Sequence, residues 1–263
     1  MQGGVSDTKT YLMYSGGKDS GASVALCYEN GIHLDGVVTA EIIFSHKKNI
    51  SAEHPIHAEW LHNTAIPTIE RMGYPVIVLK SPKDYIQHFN TRLARSKYED
   101  RIGKKRGFVL GGNRCALKRD LKIKVIDAWI KEQGEFEKIL GIAYDETKRL
   151  EALHLQKYTR SVLEEYKITE EMTFDIARKY GLLSPFYDLG RKRQGCWFCP
   201  NCSLTEFTEF AKAYPDLWGE LRALSEDTET VSKYFQYNRT FQEIDCAVTE
   251  INSQINIFDL GGE

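Results

Sequence analysis

The stretch SGGKDS, residues 15–20, constrains this chain most, because it joins an apolar run to a helical pattern. The preceding TYLMYS, residues 10–15, is typical of a buried strand, and residues 18–30 have the spacing of a helix. Two glycines let the backbone approach a ligand closely and adopt positive φ. The amides of a first helical turn carry partial positive charge and attract anions. The sequence therefore predicts a phosphate-binding turn at the end of the first strand.

The side chains of this turn suit the same purpose. Lys18 adds a full positive charge, while Ser15 and Ser20 can donate hydrogen bonds to phosphate oxygens. Asp19 opposes direct phosphate contact, so we expect it to bind Mg²⁺ or to complement the helix dipole. The spacing matches neither the GxxxxGK(S/T) loop nor the GxGxxG fingerprint. The structural alternative is a tight strand–helix turn with a polar cap.

Strand-like and helical runs alternate along the chain. Predicted strands lie at 10–15, 35–44, 75–80 and 138–143, with a short one near 182–186. Predicted helices cover 18–30, 55–72, 82–97 and 113–133, and Pro67 should kink or break the second of these. This alternation predicts an α/β fold with a doubly wound parallel sheet. Ligands of such sheets bind at the carboxyl ends of the strands, where SGGKDS lies.

The character of the sequence changes after about residue 187. A cysteine-rich loop, QGCWFCPNC at 194–202, leads into acidic helical sequence with aromatic residues. Ser203 and Glu206 form a capping-box pattern that predicts a helix start, and Pro215 suits the first turn of another helix. We therefore expect an α/β domain over 1–187 and a small cysteine-rich helical appendage over 188–263.

Charge is unevenly distributed, although the formal net charge is only −2. The segment Arg101–Lys124 contains nine Lys or Arg residues and one acidic residue, Asp120. Such a segment favours a polyanionic partner, either a nucleic acid or nucleotide phosphates. The alternative is a solvated helix face followed by a basic loop.

The cysteines favour a metal centre rather than disulfides. No apolar run approaches the length of a membrane span, and no signal peptide is indicated, so we expect a cytoplasmic protein with no membrane contact. Thiols in that compartment stay reduced, and clustered ones suggest metal or redox chemistry. Cys196, Cys199 and Cys202 have the C-x₂-C-x₂-C spacing of iron–sulfur proteins, whereas structural zinc more often uses two separated pairs. An iron–sulfur cluster is expected, with zinc as the alternative.

Four stretches resemble the PP-loop ATP pyrophosphatase superfamily, and in particular its phosphoadenosine-phosphosulfate (PAPS) reductase-like branch. SGGKDS resembles the pyrophosphate-binding loop of that superfamily. The other three stretches resemble motifs of the branch in the same order, and they are GGNRCALKRDLKI at 111–123, GIAYDETKRL at 141–150 and RKRQGCWFCPNC at 191–202. The resemblance implies the adenine nucleotide alpha hydrolase-like fold.

The resemblance also implies a cofactor and a set of site residues. ATP, with Mg²⁺, would have its phosphates on Ser15, Gly16, Gly17, Lys18, Asp19 and Ser20. Asp145, Glu146 and Arg149 would lie at the neighbouring strand end, although Asp145 and Glu146 could instead only offset a helix dipole. Cys115 would complete a 4Fe–4S cluster with Cys196, Cys199 and Cys202, and Cys246 is an alternative fourth ligand.

Three functions fit these motifs. The first is an enzyme that cleaves ATP to AMP and pyrophosphate and adenylates a substrate for sulfur transfer to a nucleic acid, tRNA or DNA, bound through Arg101–Lys124. The second is a PAPS or adenylylsulfate reductase, which is disfavoured because no cysteine follows Cys246. The third is a nucleotide-binding accessory subunit of a nucleic-acid complex.

Overall fold

A computed structural model describes residues 8–109, 115–191 and 194–259, with side chains described as far as Ser253. Residues 110–114 of the predicted basic segment, and Lys192 and Arg193 of the cysteine-rich motif, lie outside the described residues. None of the helices in the described ranges has the length and apolar character needed to cross a membrane.

The centre of the fold is a five-stranded parallel sheet. Its strands are β1 (Thr10–Met13), β2 (Gly36–Glu41), β5 (Val76–Lys80), β6 (Glu137–Leu140) and β7 (Thr159–Arg160). Their order is β5-β2-β1-β6-β7, and every neighbouring pair is parallel. Every residue of β2 is buried, as expected for an inner strand covered on both faces. The predicted α/β class and the doubly wound parallel sheet are confirmed.

The fifth strand was predicted at the wrong place. Residues 182–186 form no strand; instead Pro185–Leu189 is a 3₁₀-helix, and Ser184 caps it by accepting a hydrogen bond from the Phe186 amide. The fifth strand is β7, a two-residue strand that pairs with Lys138 and Ile139. Two residues carry no alternating pattern, so β7 could not be recognised from the sequence alone.

Helices cover both faces of the sheet. The helices associated with it are α1 (Lys18–Glu29), α2 (Pro55–Trp60), α3 (Ile66–Arg71), α6 (Lys124–Gln133), α7 (Thr147–His154), α8 (Val162–Glu165) and α9 (Met172–Lys179). Leu12, Val37 and Ile139 of the strands pack with α1 and α3 residues in one buried cluster. In a second hydrophobic cluster, Tyr11 packs edge-on against Trp129.

Pro67 shows how the sequence resolves a conflict inside a helix. The helical run from Pro55 to Arg71 passes through one π-helical turn, Leu61–Ala65, immediately before Pro67. Proline has no amide hydrogen and its ring collides with the carbonyl one α-helical turn earlier. The wider π turn relieves both problems, so the predicted irregularity is present without a break in the helix.

Contacts divide the chain into two compact units. The sheet unit comprises the chain up to Ile42, Glu53–Ser81 and Lys122–Gly195. The cysteine unit comprises Ile43–Ala52, Pro82–Leu121 and the chain from Cys196 onward. The boundary expected between residues 187 and 188 stays a prediction about folding domains.

The strands of the cysteine unit are short, and most of its secondary structure is helical. Its elements are β3 (Ile43–Ser45), β4 (Ile50–Ser51), α4 (Tyr85–Asn90), α5 (Ala116–Lys118), α10 (Leu204–Ala213), α11 (Pro215–Ser225), β8 (Tyr234–Gln236), β9 (Arg239–Thr240) and α12 (Phe241–Asp259). A π-helical turn, Arg119–Ile123, follows α5 and joins α6. The capping box at Ser203 and the helix start at Pro215 are confirmed. The helix predicted over 82–97 is shorter, because Asp84 caps its start and Thr91 leaves the helix with extended geometry.

Candidate functional site

The glycine turn lies at the end of the central strand of the sheet. Met13, the last residue of β1, pairs with Val38 of β2 on one side and Leu140 of β6 on the other. From β1 the chain proceeds outward to β2 and β5, whereas β6 and β7 lie on the opposite side. The strand order therefore reverses at β1. A crevice at such a point is where open parallel sheets bind their ligands.

Hydrogen bonds within the turn fix its backbone. Gly16 has φ of +78°, which a residue with a side chain rarely adopts. Ser20 Oγ donates to the Gly17 carbonyl oxygen over 2.9 Å and accepts from the Ser15 amide over 3.2 Å. Ser15 Oγ accepts from the Gly17 amide over 3.3 Å. The amides of Asp19 and Ser20 belong to the first turn of α1, whose N–H groups have no partner within the helix.

The end of β6 packs directly against the start of α1. A Cβ atom on Gly141, the residue after β6, would lie 2.8 Å from the Ser20 nitrogen and 2.9 Å from the Asp19 carbonyl carbon. Only glycine allows this approach, since a side chain would collide with backbone atoms. The strand ends of β1 and β6 thus flank the same turn, as the sequence predicts.

The Lys18 ammonium is buried beneath the turn and is held by several oxygens. Its Nζ lies 2.6 Å from Asp19 Oδ1 and 3.1 Å from Glu170 Oε1, and only 5% of the residue is exposed. Thr173 Oγ1 also contacts Asp19 Oδ1 at 3.0 Å. Burial alone would lower the pKa of Lys18, but the bonds and negative charges of Asp19 and Glu170 raise it above its ordinary value. Lys18 therefore stays protonated, and its single positive charge is shared between two carboxylates.

The predicted Asp145, Glu146 and Arg149 all lie in the turn and first helical turn after β6. Asp145 Oδ1 accepts from the Glu170 amide over 2.9 Å. Glu146 Oε2 accepts from the Ala143 amide over 3.0 Å, which shapes the turn, and Oε1 binds Arg149 Nη1 at 2.5 Å. Just over half of the Arg149 side chain is exposed. Both carboxylates thus accept hydrogen bonds that stabilise the local backbone, and Arg149 presents a positive charge at the surface.

Four residues that support the turn were not predicted from the sequence. A Cβ on Gly16 would lie 2.8 Å from Cε1 of His57 and 2.9 Å from its Nε2, so the imidazole fills the space a side chain would need. Gln194 Nε2 donates to the Gly16 carbonyl oxygen, and Tyr187 Oη accepts from the Lys18 amide over 3.3 Å. Glu170, described above, is the fourth. Each is distant from SGGKDS in the sequence, so no local pattern indicates it.

His57 is a neutral side chain with a defined orientation. It is 2% exposed, and burial lowers its pKa to about 4. Its Nδ1 lies 3.0 Å from Ser184 Oγ, which itself accepts from the Phe186 amide. The hydrogen bond between Nδ1 and the Ser184 hydroxyl thus fixes the orientation of the ring, whose other edge lies next to Gly16. His57 thus supports Gly16 without adding charge.

The cysteine loop, residues 196–202, is anchored by the two aromatic residues between its first cysteines. Trp197 and Phe198 are each 3% exposed. Trp197 stacks on Phe210 with ring centroids 5.3 Å apart, and its indole nitrogen donates to the Ser51 carbonyl oxygen over 2.9 Å. Phe198 packs on Tyr85 at 4.4 Å. The loop therefore has a fixed base, and its three thiols are only partly buried.

Backbone bonds shape the rest of this loop. The Cys199 amide donates to the Cys196 carbonyl oxygen and the Cys202 amide to the Cys199 carbonyl oxygen, which forms two successive turns. Gln236 Nε2 donates to the carbonyl oxygens of Pro200 and Cys202, each over 2.9 Å. The loop is thus fixed both by its own backbone bonds and by the side chain of Gln236.

The predicted fourth ligand, Cys115, belongs to the same unit. Cys115 caps α5 by accepting from the Lys118 amide at 3.5 Å. Burial raises the pKa of Tyr85, and Cys196 and Cys115 are both close enough to raise it further. The two cysteines therefore approach a common side chain. All six cysteines lie in described ranges, and none of them forms a disulfide.

The donor set fits a metal centre, although the ligands are not gathered around a point. Four thiols on a glycine-free, anchored loop and a helix cap are the soft ligands that iron–sulfur clusters and zinc prefer. Among the described residues, no three Cys, His, Asp or Glu side chains come together in a metal-binding arrangement. Metal binding in such proteins commonly supplies the energy that draws the ligands together.

Several cations of the predicted basic segment form ion pairs within the protein. Lys105 pairs with Asp227 at 2.5 Å, Arg106 with Asp120 at 3.1 Å, and Lys122 with Glu53 at 3.7 Å. Arg101 and Lys104 are exposed. The segment is therefore less positive at the surface than its composition suggests.

Two cavities in the described part of the cysteine unit have volumes of about 280 and 220 Å³. Phe89, Phe108, Thr230 and Gln242 contribute to the first, and Trp218 and Arg222 to the second. Neither cavity is lined by a residue predicted to bind nucleotide or metal.

Comparisons with known proteins give structural similarities only. No protein-family model and no curated protein sequence matches the chain. A PAPS reductase from Candida auris in complex with phosphate is similar at a TM-score of 0.45 and 11% identity, covering 73% of this chain and 83% of that one. The U34-tRNA thiolase NcsA from Methanococcus maripaludis, with its 4Fe–4S cluster, is similar at 0.40 and 14%, covering 84% and 73%. We base the function proposed below on this chain's own residues.

Proposed function

We propose that this protein binds ATP with its phosphates on residues 15–20 and cleaves it to AMP and pyrophosphate, adenylating an oxygen of a substrate. A sulfur nucleophile then displaces AMP, and the acceptor is a nucleic acid such as tRNA or DNA. The observation that carries the proposal is the glycine turn at the strand-order reversal, with Gly16 at positive φ and Gly141 packed against the first amides of α1.

The turn suits a diphosphate because it offers amide donors, and because a buried ammonium partly offsets the two nearby carboxylates. The first-turn amides of α1 carry the partial positive charge of the helix dipole. Asp19 and Glu170 would repel phosphate if they were unpaired, but the Lys18 ammonium lies 2.6 Å from the first and 3.1 Å from the second. We therefore assign Lys18 the role of offsetting charge beneath the turn, where charge develops on departing pyrophosphate.

The residues after β6 would act on the same nucleotide. In the adenylation step the substrate oxygen bonds to the α-phosphorus, and the bond to the bridging oxygen breaks as pyrophosphate leaves with the electron pair. Arg149 is exposed and anchored by Glu146, so its guanidinium is available to a phosphate oxygen. Asp145 holds the Glu170 amide and thereby supports the carboxylate that pairs with Lys18.

Mg²⁺ fits this site only in partnership with the nucleotide. Asp19 accepts its bonds from Lys18 and Thr173 through Oδ1, and Mg²⁺ commonly uses one or two carboxylates plus substrate phosphates. Asp19 and the bound phosphates would hold the ion, which would neutralise charge on the leaving group.

We assign a 4Fe–4S cluster to Cys115, Cys196, Cys199 and Cys202, with zinc as the alternative and Cys246 as the alternative fourth ligand. Cys246 is exposed on α12 and its thiol lies 3.9 Å from Glu250 Oε1, whereas Cys115 shares a neighbour with Cys196. A cluster there would supply iron that binds and activates sulfur. A cytoplasmic location, where thiols remain reduced, suits this chemistry.

The test uses anaerobically purified protein, α-labelled ATP, and tRNA or DNA. We expect AMP and pyrophosphate to form, and Lys18→Ala to lower the rate by about 100-fold because Asp19 and Glu170 lose their counter-charge. The matched control is Lys179→Ala, which removes an exposed lysine from α9 and should leave the rate unchanged.

Two results would decide against the enzyme. ATP binding without pyrophosphate release, whichever nucleic acid is added, would support the accessory-subunit alternative. No AMP or pyrophosphate, together with unchanged ATP affinity in folded Lys18→Ala, would contradict a phosphate role for the turn.

A further inference from the structure

The segment between α4 and Phe108 forms a hairpin in the cysteine unit, and we call residues 91–106 the basic hairpin. Its two arms are joined by backbone bonds from Leu93 to Lys104 over 3.0 Å, from Gly103 to Leu93 over 2.9 Å, and from Arg106 to Thr91 over 3.0 Å. The hairpin therefore has a defined base, although it was predicted partly as helix and partly as loop.

Charges at the base and at the tip of the basic hairpin differ in their partners. At the base, Arg92 pairs with Glu229, Lys105 with Asp227, and Arg106 with Asp120. Toward the tip, four exposed cations form no ion pair with any described residue, and they are Arg95, Lys97, Arg101 and Lys104. Glu99 and Asp100 offset only part of this charge, so the tip remains positive.

The tip also exposes two large apolar side chains among these cations. Tyr98 is 51% exposed and Ile102 is 50% exposed. The Arg101 guanidinium lies 4.4 Å from the centre of the Tyr98 ring, and Lys97 Nζ lies 6.0 Å from it. Arg101 also bonds the Tyr98 carbonyl oxygen through its amide, within a short 3₁₀ turn. About half of Tyr98 therefore faces solvent, and two cations lie next to its ring.

We propose that the basic hairpin binds unpaired nucleotides of a nucleic acid, with a base stacked on Tyr98 and phosphates on Arg95, Lys97, Arg101 and Lys104. An exposed aromatic ring among cations is the combination that single strands recognise, because every base has a face to stack and every linkage has a charge. A duplex offers its phosphates but hides its base faces, so it would use the cations alone. The proposal deepens the proposed function by assigning the surface that receives the acceptor, and it extends the predicted segment toward Arg95.

The experiment measures binding of a fluorescent single-stranded oligouridine of about 15 nucleotides, without ATP, so that its failure is separate from failure of ATP cleavage. We expect Tyr98→Ala to weaken binding by about tenfold, which is the size of one lost stacking contact. The matched control is Tyr237→Ala, which removes an 89% exposed tyrosine from the same unit and should have no effect. A duplex of the same length should bind with no dependence on Tyr98.

Salt dependence separates the cations from the ring. Arg95→Ala and Lys104→Ala should each reduce the slope of log affinity against log salt concentration by about 0.7, the value for one phosphate contact on a single strand. Tyr98→Ala should leave this slope unchanged. The proposal fails if the oligonucleotide does not bind, if Tyr98→Ala binds it as tightly as the unaltered protein, or if polyglutamate competes as well as RNA does. Pyrophosphate release can be measured on Tyr98→Ala with a small substrate to show that the glycine turn is intact.

Discussion

The glycine turn and the cysteine loop differ in where their parts come from. Six consecutive residues form the turn, and the bonds among Ser15, Gly17 and Ser20 fix its shape within that stretch. The cysteine loop carries three of the four thiols proposed as cluster ligands, and the proposed fourth, Cys115, is far away in the sequence. A turn shaped by bonds within one short segment can hold its form before a ligand arrives, whereas a site drawn from two segments would depend on a bound metal to bring its ligands together.

The comparison predicts that removal of one thiol abolishes metal binding entirely. Cys199→Ser should eliminate bound iron and sulfide in anaerobically prepared protein, because Cys199 is the middle ligand of the loop. The control Cys246→Ser should retain both, since Cys246 lies on α12. Iron and zinc analysis provides the measurement. Iron retained in Cys199→Ser would show that the cysteine loop does not hold the cluster, and stoichiometric zinc without iron in unaltered protein would favour the zinc alternative.

The second prediction concerns the anchor of the cysteine loop. Trp197→Ala should destabilise the cysteine unit by about 4 kcal/mol, because it empties a buried site and removes the stack on Phe210. Denaturant unfolding followed by hydrogen exchange would localise the loss. The control Trp197→Phe keeps an aromatic ring at this position and should cost less than Trp197→Ala. An equal loss of stability in the sheet unit would contradict the view that residues of its own unit stabilise each site.

The third prediction tests the support of the glycine turn. The pKa of His57 falls from its usual 6.5 to about 4 on burial. Its neutral form therefore contributes stability fully above pH 6.5, and this contribution is lost as the pH falls toward 4, by about 3 kcal/mol. Unfolding free energies at pH 7 and pH 4 should differ less in His57→Gln than in the unaltered protein. The exposed His33→Gln is the control. An unchanged pH dependence in His57→Gln would mean that this imidazole does not titrate as buried.

Local patterns predicted most of the sheet and one side of the site. Strand β1, the turn and the start of α1 follow directly along the chain, and the capping box at Ser203 depends on residues three positions apart. Such features are set by nearby residues, so a sequence shows them. The same holds for the parallel pairing of the strands, which the alternation of strands and helices favours.

The features that could not be predicted from the sequence depend on tertiary packing. Strand β7 consists of two residues that are extended because β6 pairs with them. His57, Gln194 and Glu170 reach the turn from distant segments, and nothing in their neighbourhoods marks them. The burial of the Lys18 ammonium also follows from Glu170 and Thr173, so its role as a charge beneath the turn could not be seen in SGGKDS alone.

The most direct test of the glycine turn is calorimetric titration of inorganic pyrophosphate, with Mg²⁺, into the unaltered protein, Gly16→Ala and Gly17→Ala. Gly16 has φ of +78° and a Cβ there would lie 2.8 Å from His57. A Cβ on Gly17 would meet the Ser15 hydroxyl at 3.2 Å, and its other neighbours, Tyr187 Oη and Gln194 Oε1, lie at 3.7 and 4.0 Å. We predict that Gly16→Ala binds about 100-fold more weakly, a loss of about 2.7 kcal/mol, while Gly17→Ala stays within a few-fold of the unaltered protein. Equal pyrophosphate affinity in all three folded proteins, or no binding to any of them, would contradict the account.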